Sequence, residues 1–280
     1  MKTAIRLLAI DIDGTLLDSR FELSAANREA VVAAHGRGVE IVLVTGRRFA
    51  FARSIVEQFP MELTVIASNG ALVKSKDGAT LWRQLLPREQ ARAVLRAAGP
   101  ERGRALLLFD RDGKGQIVTE NTDPAHAPVE GYFERNRAYL MEVKPLEEAL
   151  TEDPIQVLFV GGVQPMRALE QQLLQAPCAS AITVARAEYP RRDFTLLDVL
   201  DCGCNKGRAL ARWAVSRGLL REQTMAIGDN WNDLEMLEFA GLPVLMENSS
   251  EELKQRGWAV TASNDDSGVA TAVRRYVLSS

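Results

Sequence analysis

Along the chain, short apolar runs stop abruptly at polar residues. Leu7–Ile10 runs into Asp11, Asp13 follows two positions later, and Gly14 breaks the chain direction. A short apolar run with no polar face predicts a strand buried on both sides, as in a parallel sheet. Val39–Val44 is a second such run, ending at Thr45-Gly46-Arg47, and Thr64–Ala67 is a third, ending at Ser68-Asn69-Gly70. Between them Ser24 caps a predicted helix over Ala25–His35, closed by Gly36 and Gly38, and a second helix spans Arg48–Gln58 before Pro60. Three strand–helix steps with short connections predict a right-handed parallel arrangement.

That style returns late in the chain. Asn205 caps a helix over Lys206–Ser216 that stops at Gly218, and a strand over Thr224–Gly228 runs into Asp229–Asp233. Leu234, Met236, Leu237 and Ala240 have helical spacing, and Leu242–Met246 and Trp258–Thr261 read as strands. Ser249 with Glu252 reads as a capping box for a short helix between them, and Val269–Val277 as a closing helix.

The middle of the chain has a different grammar. Ala71–Val73 and Thr80–Leu85 flank Lys76-Asp77-Gly78, and Ala105–Phe109 and Gln116–Thr119 flank Asp112-Gly113, both hairpin signals. A helix runs from Pro87 to Ala98 and another over Met166–Leu174, with strands at Ile155–Val160, Ile182–Ala185 and Phe194–Leu200. Residues 120–145 are polar with weak periodicity and receive no element; His126 lies there and reads as an exposed polar residue. The expected fold is α/β, a doubly wound, mostly parallel Rossmann-like sheet with the first strand central. Residues 1–82 and 199–280 are expected to form it, with 83–198 an inserted α+β domain.

Composition narrows the partners. The chain has 280 residues, 46% of them apolar, and 34 basic against 37 acidic residues give a net charge of −3. That is room for two domains, and with no basic run neither a nucleic-acid nor a membrane surface is expected. The opening MKTAIRLLAID holds too short an apolar run for a signal peptide, and no run approaches the ~20 residues that cross a bilayer. Three cysteines, Cys178, Cys202 and Cys204, fit reduced thiols in a cytoplasmic protein. Cys202-Gly203-Cys204 lacks a second pair, and the chain has only His35 and His126, so it reads as two thiols near a loop.

Two carboxylates at one strand end repel each other and call for a cation, most simply Mg²⁺. Alternation would put Asp11 and Asp13 on one side if strand geometry persists that far. In a parallel sheet the polar strand ends gather at one edge, where open α/β folds bind ligands. Lys206, at a helix N-terminus, brings a cation and free N–H groups towards the same place. Carboxylates, an ammonium, a threonine hydroxyl, a glycine N–H and an asparagine amide together suit phosphoryl transfer, whose transition state spreads negative charge over three oxygens.

DIDGTL, VTGR, a lone lysine opening a helix and GDNWND, in that order, resemble the haloacid dehalogenase (HAD) superfamily. The chain is most similar there to the Cof-type phosphatases, which carry a large α/β cap (type C2, subfamily IIB-like) between the second and third motifs. Ser68–Ala71 (SNGA) and Asp265–Ala270 (DDSGVA) resemble that subfamily too. The likeness covers the core and is thin through the inserted domain, expected to serve as the cap that selects the substrate.

The resemblance implies that Asp11 is the nucleophile and a Mg²⁺ ligand. Asp13 would be the general acid and base and give its backbone carbonyl to the metal. Thr45, the Gly46 N–H, Lys206 and Asn232 would bind phosphate, Asp229 would complete the metal site, and Asp233 would orient Lys206 or metal waters. Arg47 reads equally as a salt-bridged surface residue or a substrate contact, Asn69 as a turn residue or a substrate contact, and Trp231 as packing or as a cover for the site. An acid at position 13 favours a phosphatase or mutase over the ion-pumping members. Glu247, where a glycine is usual, puts a carboxylate near the rim.

The expected activity is Mg²⁺-dependent hydrolysis of phosphate monoesters, sugar phosphates or similar small metabolites, through an aspartyl phosphate. The expected assembly is a monomer or weak homo-oligomer. A phosphomutase or phosphoryl transferase, and a non-catalytic phosphate-binding module, are the alternatives.

Overall fold

A computed structural model describes residues 4–122 and 132–279. The chain begins β1 (Leu7–Asp11), α1 (Ala25–Gly36), β2 (Glu40–Val44), α2 (Phe49–Val56), β3 (Thr64–Ala67), β4 (Leu72–Ser75) and β5 (Thr80–Arg83). It continues through α3 (Arg88–Ala97), β6 (Ala105–Leu108), β7 (Ile117–Thr119), α4 (Tyr132–Arg135), β8 (Leu140–Glu142), β9 (Gln156–Gly161), α5 (Val163–Gln175), β10 (Ile182–Tyr189) and β11 (Phe194–Asp201). It closes with α6 (Lys206–Ser216), β12 (Thr224–Gly228), α7 (Leu234–Phe239), β13 (Leu242–Leu245), α8 (Glu251–Lys254), β14 (Ala259–Val260) and α9 (Gly268–Val273).

Residues up to Arg83 and from Asn205 onward form one compact unit, and Gln84–Cys204 form another. The first carries an eight-stranded sheet in the order β14-β13-β12-β1-β2-β3-β4-β5. Its first six strands are parallel, and β4 and β5 add antiparallel at one edge. The sheet is doubly wound about β1, as the buried runs predict. Leu7, Ala9, Val42, Val44 and Ile66 share a core with Ala209, Leu210 and Ala214 of α6 and with Met236 and Leu237 of α7. By strand alternation Leu8, Ile10, Ile41 and Leu43, all fully buried, point to the other face.

The order of strands reverses between β1 and β12, the switch point at which such sheets open a crevice. Register makes the strand ends level there: Asp11 pairs with Val44, Ile10 with Ile227, and Val44 with Ile66. Counting on from these pairs, Thr45, Ala67 and Asp229 stand level, with Ser68 one residue further.

The inserted unit holds a six-stranded mixed sheet, β10-β11-β9-β6-β7-β8. Its core joins Ala91, Val94 and Leu95 of α3 and Met166, Leu169 and Leu173 of α5 to Leu107, Val157, Phe159, Leu197 and Val199 of the sheet. Of the stretch without an assigned element, β8 pairs parallel with β7 and α4 precedes it, while His126 lies outside the described residues.

Three local expectations change. Helix α2 is shorter than read, because Arg48 is its cap and the chain turns after Val56. The short helix α8 is capped by Ser250, whose side chain accepts from the Leu253 N–H, so the predicted Ser249–Glu252 box is one residue out of phase. The closing helix α9 widens into π-helical turns over Arg274–Leu278.

Candidate active site

The parity that buries Leu7 and Ala9 against α6 also sends the Asp11 side chain to that face. There Lys206, in the first turn of α6, meets it. The Lys206 ammonium donates to Asp11 Oδ1 and to Asp233 Oδ1, both at 2.6 Å, and the lysine side chain is 1% exposed. Asn205 fixes this helix end by accepting from the Arg208 N–H at 2.7 Å. Gly207 lets it approach α7, since a Cβ there would collide with the Glu235 carbonyl.

Asp233 closes the loop after β12. Its Oδ2 accepts from the Asp229 and Asn230 N–H groups, both at 3.0 Å, while Oδ1 holds Lys206. One side chain thus caps a turn and orients a cation. Asp229 Oδ1 accepts from the Thr15 hydroxyl at 2.9 Å. Gly14, at φ 80°, lies so close that a Cβ would sit 2.5 Å from Asp229 Oδ2.

Asp11, Asp229 and Asp233 present carboxylate oxygens within 4.8 Å of one another, the cluster among the described residues suited to a metal ion. Burial first, then the Asp233 charge, push Asp11 up to about 8 despite the nearby ammonium. Asp229 is raised well above the carboxylate range by burial and by the Asp11 and Asp233 charges. Burial lowers the Lys206 ammonium, but the Asp11 and Asp233 charges outweigh it and hold the group protonated. Three carboxyl groups lie near one ammonium, and the two whose protons are held more tightly would give them up to a cation; these hard oxygens are a donor set that fits Mg²⁺. Asp233 has both oxygens engaged by the protein, so Asp11 and Asp229 are the better placed ligands.

The condition under which alternation would place Asp13 beside Asp11 is not met. Strand β1 ends at Asp11, so the alternation does not continue and Asp13 is gripped instead by Arg47. Arg47 Nε donates to Asp13 Oδ2 at 2.7 Å and Nη2 donates to Oδ1. This pair is partly exposed, at 17% and 22% for the two side chains. Of the two readings of Arg47, the salt bridge is present, though at the site rather than on an outer surface.

Thr45 is fully buried, and its hydroxyl accepts from the Arg47 N–H at 3.0 Å. Its carbonyl accepts from the Asn69 N–H at 3.0 Å, and a Cβ on Gly46 would lie 3.2 Å from the Asn69 amide. The Asn232 side chain in turn donates to Asn69 Oδ1 at 2.9 Å. The loops after β2, β3 and β12 are thereby tied together, with Ser68 and Asn69 both at left-handed φ (50° and 51°). Trp231 packs on the core beside α6 and α7. The Glu247 carboxylate pairs with Lys254 at 3.0 Å, which offsets its charge. Cys202 is exposed and Cys204 buried.

Sequence reasoning did not single out the residues that hold the loop after Asp13. Asn248 donates to the Gly14 carbonyl at 2.8 Å, and Asn264 and Asn27 donate to those of Leu17 and Leu16, both at 3.0 Å. Thr15, on Asp229, belongs with them. These asparagines fall in polar loop stretches or on a helix, with no periodic signal. For Asn248 and Asn264 the hint was their place in the run after β13 and next to DDSGVA; Asn27, on α1, had none.

The described residues contain no helix long and apolar enough to cross a membrane. A family of haloacid dehalogenase-like hydrolases matches residues 8–273 of the chain. Phosphatase YwpJ of Bacillus subtilis is 30% identical over 98% of this chain and 100% of its own length. The 5-amino-6-(5-phospho-D-ribitylamino)uracil phosphatase YwtE of the same organism is 27% identical, over 95% and 96%. Among solved structures, a HAD-superfamily phosphatase from Bacteroides thetaiotaomicron superposes with a TM-score of 0.80 at 26% identity, covering 98% of this chain and 95% of that one. A match that runs from β1 through α9, with the strand-end cluster inside it, settles the family: the chain belongs to the haloacid dehalogenase-like hydrolases.

Proposed function

We propose that this enzyme, a hydrolase of phosphate monoesters, works with Mg²⁺ through a phosphorylated Asp11. The observation that carries the reading is Lys206 bound at 2.6 Å to both Asp11 and Asp233, inside a buried cluster with Asp229. The Asp11 and Asp229 carboxylates, with the Asp13 backbone carbonyl, would hold the ion. When bound, it supplies positive charge for the phosphoryl oxygens and keeps Asp11 ionised.

The chain's own residues divide the remaining work. Thr45, the Gly46 N–H, Lys206 and Asn232 hold the phosphate oxygens with the phosphorus in line with Asp11. An Asp11 oxygen attacks phosphorus, the P–O ester bond breaks, and the departing oxygen takes the proton of Asp13. Water then attacks the same phosphorus and gives its proton to Asp13, which frees Asp11 and inorganic phosphate. Arg47, on Asp13, steers that carboxyl, Asp233 orients Lys206, and Asn69 holds Asn232.

The substrates proposed are small phosphorylated metabolites, sugar phosphates or a phosphorylated ribitylaminouracil of the kind named for the relative YwtE. The residues of 83–198 are proposed to select among them, in a cytoplasmic protein that is a monomer or weak homo-oligomer. Asp11→Asn tests the mechanism: hydrolysis of an aryl phosphate should fall by roughly 10³-fold or more, with the melting temperature kept. Turnover by Asp11→Asn close to that of the wild type would exclude the phosphoenzyme route.

A further inference from the structure

Arg47 is held by more than its acid partner. Its guanidinium carbon lies 5.1 Å from the centre of the Phe51 ring and 6.0 Å from that of Phe21, within reach of cation–π attraction. Neither ring is core: Phe21 is 55% exposed and Phe51 42%. Phe21 also sits at φ 64°, a left-handed backbone that glycine adopts freely and a bulky side chain adopts at a cost.

Hydrogen bonds from backbone N–H groups hold the turn around Phe21. Asp18 Oδ1 accepts from the N–H groups of Arg20 and Glu22, both at 2.9 Å, and the Phe21 N–H donates to the Asp18 carbonyl at 2.9 Å. The Asp265 carboxylate accepts from the Ser19 N–H at 2.8 Å. An exposed phenylalanine in a costly conformation, set against the guanidinium that grips Asp13, calls for a reason beyond folding.

We propose that Phe21 and Phe51 are positioning residues for the reaction. Their rings fix the guanidinium of Arg47, and its two hydrogen bonds then fix the direction of the Asp13 carboxylate. Without them, a partly exposed ion pair on a long side chain would sample several geometries, as such pairs do in water. The inference rests on the reading of Asp13 as the proton donor to the leaving oxygen.

That role gives a readout no merely structural residue would move. An alkyl phosphate needs its leaving oxygen protonated, whereas p-nitrophenyl phosphate scarcely does. Phe21→Gly should lower kcat for an alkyl phosphate by about threefold to tenfold, with a smaller change for p-nitrophenyl phosphate. Because glycine suits φ 64°, its melting temperature should stay level or rise. Phe51→Leu should give the same substrate-selective loss and Phe51→Tyr should restore it. Equal loss on both esters, or unchanged kinetics, would overturn the inference while wild-type hydrolysis still stands. A wild type inactive on every ester would instead bring down the phosphatase reading, and this inference with it.

Discussion

In the core unit, three buried carboxylates, Asp11, Asp229 and Asp233, share one ammonium, Lys206. In the inserted unit, Glu188 is as deeply buried but meets two guanidiniums, Arg167 at 2.6 Å and Arg186 at 3.4 Å. Arg186 also binds Glu170, and Arg102 bridges Glu120 at 2.9 Å and Glu147 at 2.6 Å. Two buried acids of the core, Asp11 and Asp229, are raised well above their ordinary range. Burial also raises Glu170 despite Arg186, but Glu120, although burial pushes it up, is brought below its ordinary value by Arg102 and the Leu146 N–H. Charge is balanced locally where it holds a sheet and a helix together. It is left unbalanced, three carboxyl groups near one ammonium, where a metal cation would complete it. The difference separates structural ion pairs from a site, since an unpaired buried charge is costly to keep for stability alone.

Removing metal tests that contrast most sharply. Chelation should reduce hydrolysis to background, and Mg²⁺ should restore it in a steady-state assay. Mg²⁺ at a hundred times its Kd should also stabilise the fold by ~2.7 kcal/mol, read as a rise in melting temperature. An unchanged melt would break the comparison at its root.

Lys206→Met comes next. It leaves the carboxylates of the core without their ammonium, so unfolding in urea should show a loss of about 3 kcal/mol. Phosphate release should fall by roughly 10²-fold or more. The smallest effect belongs to Arg102→Met in the inserted unit. Its partly exposed pairs should cost ~1 kcal/mol or less and a few degrees of melting temperature, with kcat on an aryl phosphate unchanged. A larger loss of stability from Arg102→Met than from Lys206→Met would invert the contrast.

Much of the core was legible because its signals are local. The apolar runs before Asp11, Thr45, Ser68 and Asp229 are strands, and their parallel register brings those positions to one edge. Asn205 and Ser24 cap the helices they were read to cap. Illegible features were those decided by a partner elsewhere in the chain or too short or too finely placed to leave a pattern. That β1 ends at Asp11 and that Asp13 meets Arg47, 34 residues on, was not written in the local pattern. Ser250 rather than Ser249 caps α8, a difference of one residue that two adjacent serines do not announce. β8 was unreadable because its three residues hold one buried side chain, too few for a period.

From the sequence by itself came the parallel core, its strand ends and the residue types able to move a phosphoryl group, because hydrophobic periodicity and turn chemistry act over a few residues. Only the tertiary structure decided which oxygen faces which cation. Lys206 lies 195 residues from Asp11 and Thr15 lies 214 from Asp229. No local pattern encodes a hydrogen bond across such a distance. It follows from the register of β1 against β2 and β12 and from the close approach that Gly14 and Gly207 permit.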